Sequence, residues 1–318
     1  MINHILVPLD GSALAECVLP HTFAVAHAFG AQVTLLHVLE PTQMPGQPRA
    51  VDPVYWHIRK AEIDAYLDVT ATRLHAAGLE AQYTVLEGQP AERVIEYARD
   101  NGVDLVILSS HGRSGLSGWN VSSVVQKIIL RIYRPILLVR AYQLVTPAVT
   151  GLRYQRLLVP LDGSQRAECI LPLASNLALA HEAQLLLTHV IHKPEMPRHA
   201  PLTQEEAELV TQLTERNRAA AVKYLEQLRA RLPGDVETRL IAGVNVLVTL
   251  HELAEQEKVD LVVLNAHGYS GETRWPYGGT VTSFIAYGNT PLLIAQDVLP
   301  EAMGPTPAEA AAQTFGVR

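Results

Sequence analysis

The heptapeptide Leu6-Val7-Pro8-Leu9-Asp10-Gly11-Ser12 occurs a second time, unchanged, as Leu158-Val159-Pro160-Leu161-Asp162-Gly163-Ser164. Further matches follow in the same order. Ala15-Glu16-Cys17 returns as Ala167-Glu168-Cys169, His37-Val38 as His189-Val190, Val103-Asp104-Leu105-Val106 as Val259-Asp260-Leu261-Val262, and His111-Gly112 as His267-Gly268. The spacing between partners drifts from 152 to 156 residues, as loop insertions produce. So many matches in one order mean duplication, and they reduce the folding problem to one domain solved twice. The 318 residues suffice for two such domains, each burying its own core. The expected division is 1–141, a Pro- and Gly-bearing linker 142–154, 155–298, and a tail 299–318.

Within each repeat, short apolar runs alternate with helical patterns, the signature of βαβ units and a parallel sheet. The first repeat predicts strands at Ile5–Leu9, Gln32–Val38, Gln82–Leu86, Leu105–Leu108 and Ile136–Val139, with helices near 14–29, 56–77, 91–101 and 122–132. The second predicts Arg156–Pro160, Gln184–His189, Glu237–Ile241, Leu261–Leu264 and Leu292–Ala295, with a long helix near 203–231. Leu105-Val106-Ile107-Leu108 and Ile136-Leu137-Leu138-Val139 are apolar throughout, as strands covered by helices on both faces must be. The fold class is therefore α/β: two tandem, doubly wound, five-stranded parallel-sheet domains.

Composition narrows the function. A formal net charge of -7 argues against nucleic acid as the main partner. The first residues show no basic segment followed by an apolar one, and no run approaches about 18 apolar residues, so neither a signal peptide nor a membrane partner is expected. Cys17 and Cys169 stand far apart without a Cys-x-x-Cys pattern, which fits reduced thiols and a cytoplasmic setting. Both fall among apolar helix residues and are expected to be small core residues.

In a doubly wound sheet, ligands sit beyond the C-terminal ends of the strands, where the winding reverses. Two turns in each repeat suit that place. Asp10-Gly11-Ser12 and Asp162-Gly163-Ser164 follow the first strand, where Gly11 permits a sharp turn. The aspartate is suited to a ribose, a base or a metal; alternatively, Asp10 or Ser12 caps the next helix. After the fourth strand come Ser109-Ser110-His111-Gly112-Arg113-Ser114-Gly115, running to Ser122-Ser123, and Asn265-Ala266-His267-Gly268-Tyr269-Ser270-Gly271, running to Gly278-Gly279-Thr280. Small residues there let backbone N–H groups, and the N-terminus of the following helix, approach a phosphate.

The strand-one Val-Pro-Leu-Asp-Gly-Ser, the strand-four Ser-His-Gly-Arg-Ser-Gly and the closing Arg134-Pro135-Ile136-Leu137-Leu138-Val139 resemble the universal stress protein domain. The likeness covers nearly all of 3–140 and 155–297. It implies the adenine nucleotide alpha hydrolase-like fold, with strand order 3-2-1-4-5, and a regulatory protein of the stress response that binds ATP or another adenine nucleotide, with Mg²⁺ as an optional companion. ATP-binding members carry Gly-x-x-Gly, nine residues, then Gly-Ser or Gly-Thr. Carried over, Asp10 and Val38 face ribose and adenine, and Gly112, Ser122 and Ser123 line the phosphates. In the second repeat Asp162, Val190, Gly268 and Gly278 fit. Ser109 and Ser122 replace motif glycines, Asn265 replaces another, and Gly279 stands where a hydroxyl is expected, with Thr280 one step on. Serine for glycine adds a Cβ and is expected to hinder close approach or a positive φ.

No P-loop is present, and neither phosphate loop contains a lysine, so dedicated phosphoryl transfer is not expected. The alternatives are an interaction scaffold without a ligand and a slow metal-dependent ATPase. The resemblance further implies self-association through the last strands, Ile136–Val139 against Leu292–Ala295 within one chain, with a homodimer as a further option. His111 and His267 are expected to hold their loops by ring hydrogen bonds, no carboxylate or second histidine standing at ligand spacing. His37 and His189 are expected to serve as packing or backbone partners. Loop 41–54 is a candidate lid.

Overall fold

The computed structural model describes residues 2–40, 53–116, 120–142, 148–192, 203–243, 245–269 and 276–297. The loop from 41 to 52, residues 143–147 of the linker, Ser270-Gly271 and everything from 298 onward lie outside them.

The first half runs β1 (His4–Pro8), α1 (Val18–Phe29), β2 (Gln32–Leu39), α2 (Pro53–Ala76), β3 (Ala81–Glu87), α3 (Pro90–Asp100), β4 (Leu105–Ser109), α4 (Ser123–Arg131) and β5 (Ile136–Val139). The second runs β6 (Arg156–Pro160), α5 (Gln165–Glu168), α6 (Leu171–His181), β7 (Gln184–His192), α7 (Gln204–Arg231), β8 (Val236–Gly243), α8 (Val246–Gln256), β9 (Leu261–Asn265), α9 (Gly279–Tyr287) and β10 (Leu292–Ala295). The helix expected over 14–29 is broken. A 3₁₀ turn at Ala15–Cys17 precedes α1, and the second half breaks likewise between α5 and α6. Pro20 and Pro172 explain this. Proline lacks the N–H that a helix interior needs and is accepted only in a first turn, so each α-helix starts just before it.

The ten strands form one sheet in the order β3-β2-β1-β4-β5-β10-β9-β6-β7-β8. Each half thus repeats the order 3-2-1-4-5, and every contact within a half is parallel. The halves join through an antiparallel pair, Ile136, Leu137 and Leu138 opposite Ile294, Leu293 and Leu292. The last strands therefore pair within the chain, and the edge that each half would expose is covered.

Alternation along the strands sorts residues between two cores. Ile5 and Val7 pack with Val18, Leu67, Leu171 and Leu225, whereas Leu6 packs with Val94, Ile128, Leu250 and Phe284. One face is therefore covered by α1, α2, α6 and α7, the other by α3, α4, α8 and α9. All these residues are at most 4% exposed, as a parallel sheet with helices on both faces requires.

The seam between the halves carries polar contacts. The guanidinium of Arg140, fully buried, donates from Nη2 to the Phe284 carbonyl at 2.7 Å and from Nη1 to that of Ile285 at 3.3 Å, capping the last turn of α9. Tyr277 donates in the reverse direction, to the Ile129 carbonyl of α4 at 3.0 Å. On the other face, His21 Nδ1 meets the Tyr154 hydroxyl at 2.8 Å, and burial pushes the pKa of that imidazole down to about 4.

Candidate functional site

The turn after β1 is closed by Asp10. Its Oδ1 accepts from the Ser12 amide at 3.0 Å and the Ser12 hydroxyl at 2.6 Å, and the Ser12 oxygen in turn accepts from the Ala15 amide at 3.1 Å. Ser12 thus closes the turn ahead of the 3₁₀ segment, and Asp10 fixes Ser12. Between them Gly11 has φ +79°, a conformation costly for any residue with a Cβ. The second half reproduces the arrangement. Asp162 Oδ1 accepts from Ser164 N at 2.9 Å and Ser164 Oγ at 2.6 Å, Ser164 Oγ accepts from Ala167 N at 3.1 Å, and Gly163 sits at φ +84°.

The other carboxylate oxygen reaches the turn after the fourth strand. Asp10 Oδ2 accepts from the Arg113 amide and Asp162 Oδ2 from the Tyr269 amide, both at 2.5 Å. These bonds explain the glycines beside them. A Cβ on Gly112 would lie 2.0 Å from Asp10 Oδ2, and one on Gly268 would lie 2.1 Å from Asp162 Oδ2. The two turns meet in each half, and the glycine is the space into which the carboxylate fits. Burial raises the pKa of Asp162, but its hydrogen bonds from Ser164 and Tyr269 outweigh this and hold the carboxyl below its ordinary value.

The residues replacing motif glycines have structural work. Ser109 Oγ lies 2.6 Å from the His111 carbonyl and 3.0 Å from that of Leu14, while Asn265 Nδ2 donates to the His267 carbonyl at 3.1 Å. Serine and asparagine thus tie down the same carbonyl two residues on. Ser122 is the N-cap of α4, accepting from Val125 N at 3.4 Å. Its φ of -69° matches the -73° of Gly278, so the expected strain of serine for glycine is not found; a Cβ at Gly278 would make only ordinary contact, 3.5 Å from the Ala266 carbonyl.

A cavity of about 260 Å³ opens above these turns in the first half, walled by Leu36, Val38, Val94, Leu108, Val125 and Ile128. Asp10, Ser109, Gly112 and Ser122 also line it, with Glu40, Arg59 and Arg113. The second half has a smaller one, about 200 Å³, lined by Asp162, Val190, Asn265, Gly268 and Thr280. Ser123, Gly278 and Gly279 are not among the lining residues. Ser123 is exposed at the start of α4, and Gly278 and Gly279 open α9.

The family model of the universal stress protein family matches residues 1–140 and again 153–296. The chain belongs to the universal stress protein family. A relative of about half its length matches less than half of the chain. A universal stress protein of Methanocaldococcus jannaschii is 26% identical over 155 residues, covering 44% of this chain and 96% of its own. Two solved structures match the tandem form. A universal stress protein from Archaeoglobus fulgidus DSM 4304 covers 93% of this chain and 99% of its own at TM-score 0.64 and 17% identity. A protein of Pseudomonas aeruginosa PAO1 covers 92% of both chains at TM-score 0.67 and 14% identity. At such identity these two share the fold. No helix among the described residues of this universal stress protein is long and apolar enough to cross a membrane.

The histidines divide. His37 and His189 bond through Nδ1 to the carbonyls of Leu9 and Leu161 at 2.7 and 2.8 Å, backbone partners as expected. Burial, with a smaller repulsion from Arg113 and Arg59, lowers the pKa of His37 despite its bond to Leu9. His111 pairs with Ser110 Oγ at 3.1 Å. His267 also makes a ring hydrogen bond, but its partner is a carboxylate that sequence spacing does not suggest. Asp297 Oδ1 lies 2.7 Å from its Nδ1, and Asp297 Oδ2 accepts from Arg166 Nε at 2.8 Å and lies 2.6 Å from its Nη2. No group of three or more potential metal ligands occurs among the described residues.

Sequence reasoning missed Arg59 and Glu40, which reach the first cavity from α2 and the end of β2. No local signal marks them, because they meet the cavity from elements that the motifs do not include. The cysteines also divide. Cys17 is buried, its thiol 3.4 Å from Ser109 Oγ and pushed up to about 11 by burial. Cys169 is exposed, against expectation, because its turn of chain faces a surface groove.

Proposed function

We propose that the first-half crevice binds an adenine nucleotide of the ATP class and that this universal stress protein acts as a nucleotide-responsive regulator, without dedicated catalysis. What carries the reading is the pairing of an apolar wall with two cations in one cavity. Val38, Val94 and Ile128 offer an aliphatic wall to a base, and Arg59 and Arg113 on the same lining supply cations for a phosphate, alongside the carboxylate of Glu40. Asp10 is already held by three donors, yet a carboxylate accepts about four hydrogen bonds, which leaves it capacity for a ribose hydroxyl. The opening of α4 beyond Ser122 adds backbone donors on the phosphate side. Any Mg²⁺ would come bound chiefly to the phosphates, with Asp10 as the nearby carboxylate, since the described residues form no cage of their own.

Among the described residues the second crevice does not show this charge pattern. Tyr269 replaces Arg113, and no Lys or Arg lines the cavity among the described residues. The reading therefore assigns polyphosphate binding to the first half. Thermal denaturation with and without ATP and Mg²⁺ tests it. At about 100-fold excess over Kd, binding adds about 2.7 kcal/mol to native stability. Arg113→Ala should abolish most of that gain and Tyr269→Ala should leave it intact. A gain equal in both variants, or absent from the parent protein, sinks the reading and leaves the tandem chain as an interaction scaffold. Measurable turnover that is lost with Asp10→Ala would instead support the slow ATPase.

A further inference from the structure

On the opposite layer from the crevices, a groove of about 420 Å³ opens between the start of α6 and the end of α7. Gln165, Glu168, Cys169, Ser175, Asn176 and Arg231 line it. Three observations set it apart from an ordinary surface dip. Cys169 is a free, exposed thiol at its wall, engaged with the Gln165 carbonyl at 3.4 Å. Ser175 is 5% exposed, and its hydroxyl, buried at the same groove, has no hydrogen-bond partner. A buried hydroxyl so placed is expected to meet water or a ligand. Finally, Glu168 and Arg231 face one another at 3.8 Å, too far for a tight pair. A carboxylate and a guanidinium side by side complement the ammonium and carboxylate of an amino-acid end.

The duplication supplies an internal comparison. Cys17 occupies the same position in the first repeat, yet it is 8% exposed and its thiol is sealed against Ser109. The two copies of one residue have therefore taken opposite environments, and the open one stands beside a lined groove.

We propose that Cys169 and this groove form a thiol–disulfide exchange site for low-molecular-weight disulfides that end in a zwitterionic amino-acid group. Glu168 receives the ammonium, Arg231 the carboxylate, and Ser175 and Asn176 the peptide-like groups between. The Cys169 thiolate attacks one sulfur of the disulfide. The ligand's S–S bond breaks, a mixed S–S bond to Cys169 forms, and the other half departs as a thiolate that takes up the proton Cys169 released. No further oxidant or reductant is needed.

The test exposes the whole protein to glutathione disulfide and, separately, to the uncharged bis(2-hydroxyethyl) disulfide, following adducts by intact mass and locating them by peptide mapping. An unstructured cysteine peptide gives the intrinsic rate ratio of the two reagents. The expected result is one glutathione adduct, on Cys169 and not on Cys17, formed with a preference over the neutral reagent greater than the peptide's. Arg231→Ala should lower that preference by about two- to fivefold, as loss of an exposed ion pair does. Absence of an adduct at Cys169 overturns the proposal. So does a preference equal to the peptide's, or one that neither Arg231→Ala nor Ser175→Ala moves. The neutral reagent's rate shows that each variant still presents a folded, accessible thiol.

Discussion

Gly112→Ala isolates the contact on which the first crevice is built. Gly112 does not have a positive φ, so the backbone accepts alanine without strain. The added methyl meets one group, Asp10 Oδ2, at 2.0 Å, more than 1 Å inside van der Waals contact. Asp10 cannot swing away freely, because Ser12 N, Ser12 Oγ and Arg113 N all hold it. Hydrogen bonds to a charged group contribute about 1.5–3 kcal/mol each, and displacement forfeits at least one and weakens the others, so the variant should lose about 3 kcal/mol. Asp10→Ala alone loses the same bonds and should cost about as much. In the double variant the methyl meets no carboxylate, and the further cost of Gly112→Ala should fall below about 1 kcal/mol. Equilibrium urea denaturation followed by circular dichroism should therefore give a coupling of about 2 kcal/mol between the two sites. Additive losses would show that the glycine serves some other end, and would refute the apposition of the two turns as the basis of the site.

Other expectations follow from the same geometry. The folded pKa of Asp162 lies below its unfolded value, so its contribution to stability is full above about pH 5 and is lost as pH falls through the folded pKa. Asp162→Asn should flatten the acid limb of stability against pH, and an unchanged limb would contradict the role given to Ser164 and Tyr269. His21 is also depressed, to about 4, but as a base it must be neutral to stay buried. Stability should thus fall as pH drops from about 6.5 towards 4, by up to about 3 kcal/mol, and His21→Phe should remove that fall. Arg140→Leu removes the side-chain donor from the carbonyls of Phe284, which keeps the Gly288 amide, and Ile285, and should cost about 1–3 kcal/mol by urea denaturation; a neutral outcome would mean that apolar packing at the seam suffices without the guanidinium.

The repeat made the fold legible. Seven identical residues set the two first strands, and wholly apolar runs such as Leu105–Leu108 fixed which strands lie at the centre, since only a strand covered on both faces tolerates them. Asp10 and Gly112 were legible as members of one site through the resemblance, but not the reason for the glycine, which is a contact across 102 positions of chain. The strain expected at Ser122 was misjudged because a motif records residue types and not φ values. Asp297 escaped notice because 30 residues separate it from His267 and 131 from Arg166, and only the return of β10 to the sheet brings them together. Cys169 was misplaced for a related reason. Apolar neighbours in sequence say which turn of helix is buried only when the helix is continuous, and this one breaks at Pro172.

The antiparallel junction of β5 with β10 turns one half by half a revolution relative to the other. Because each pocket sits past the carboxyl ends of its own strands, the two mouths open towards opposite rims of the shared sheet, though beneath the same helical layer. The two crevices therefore face different surroundings, although the strands beneath them belong to one sheet.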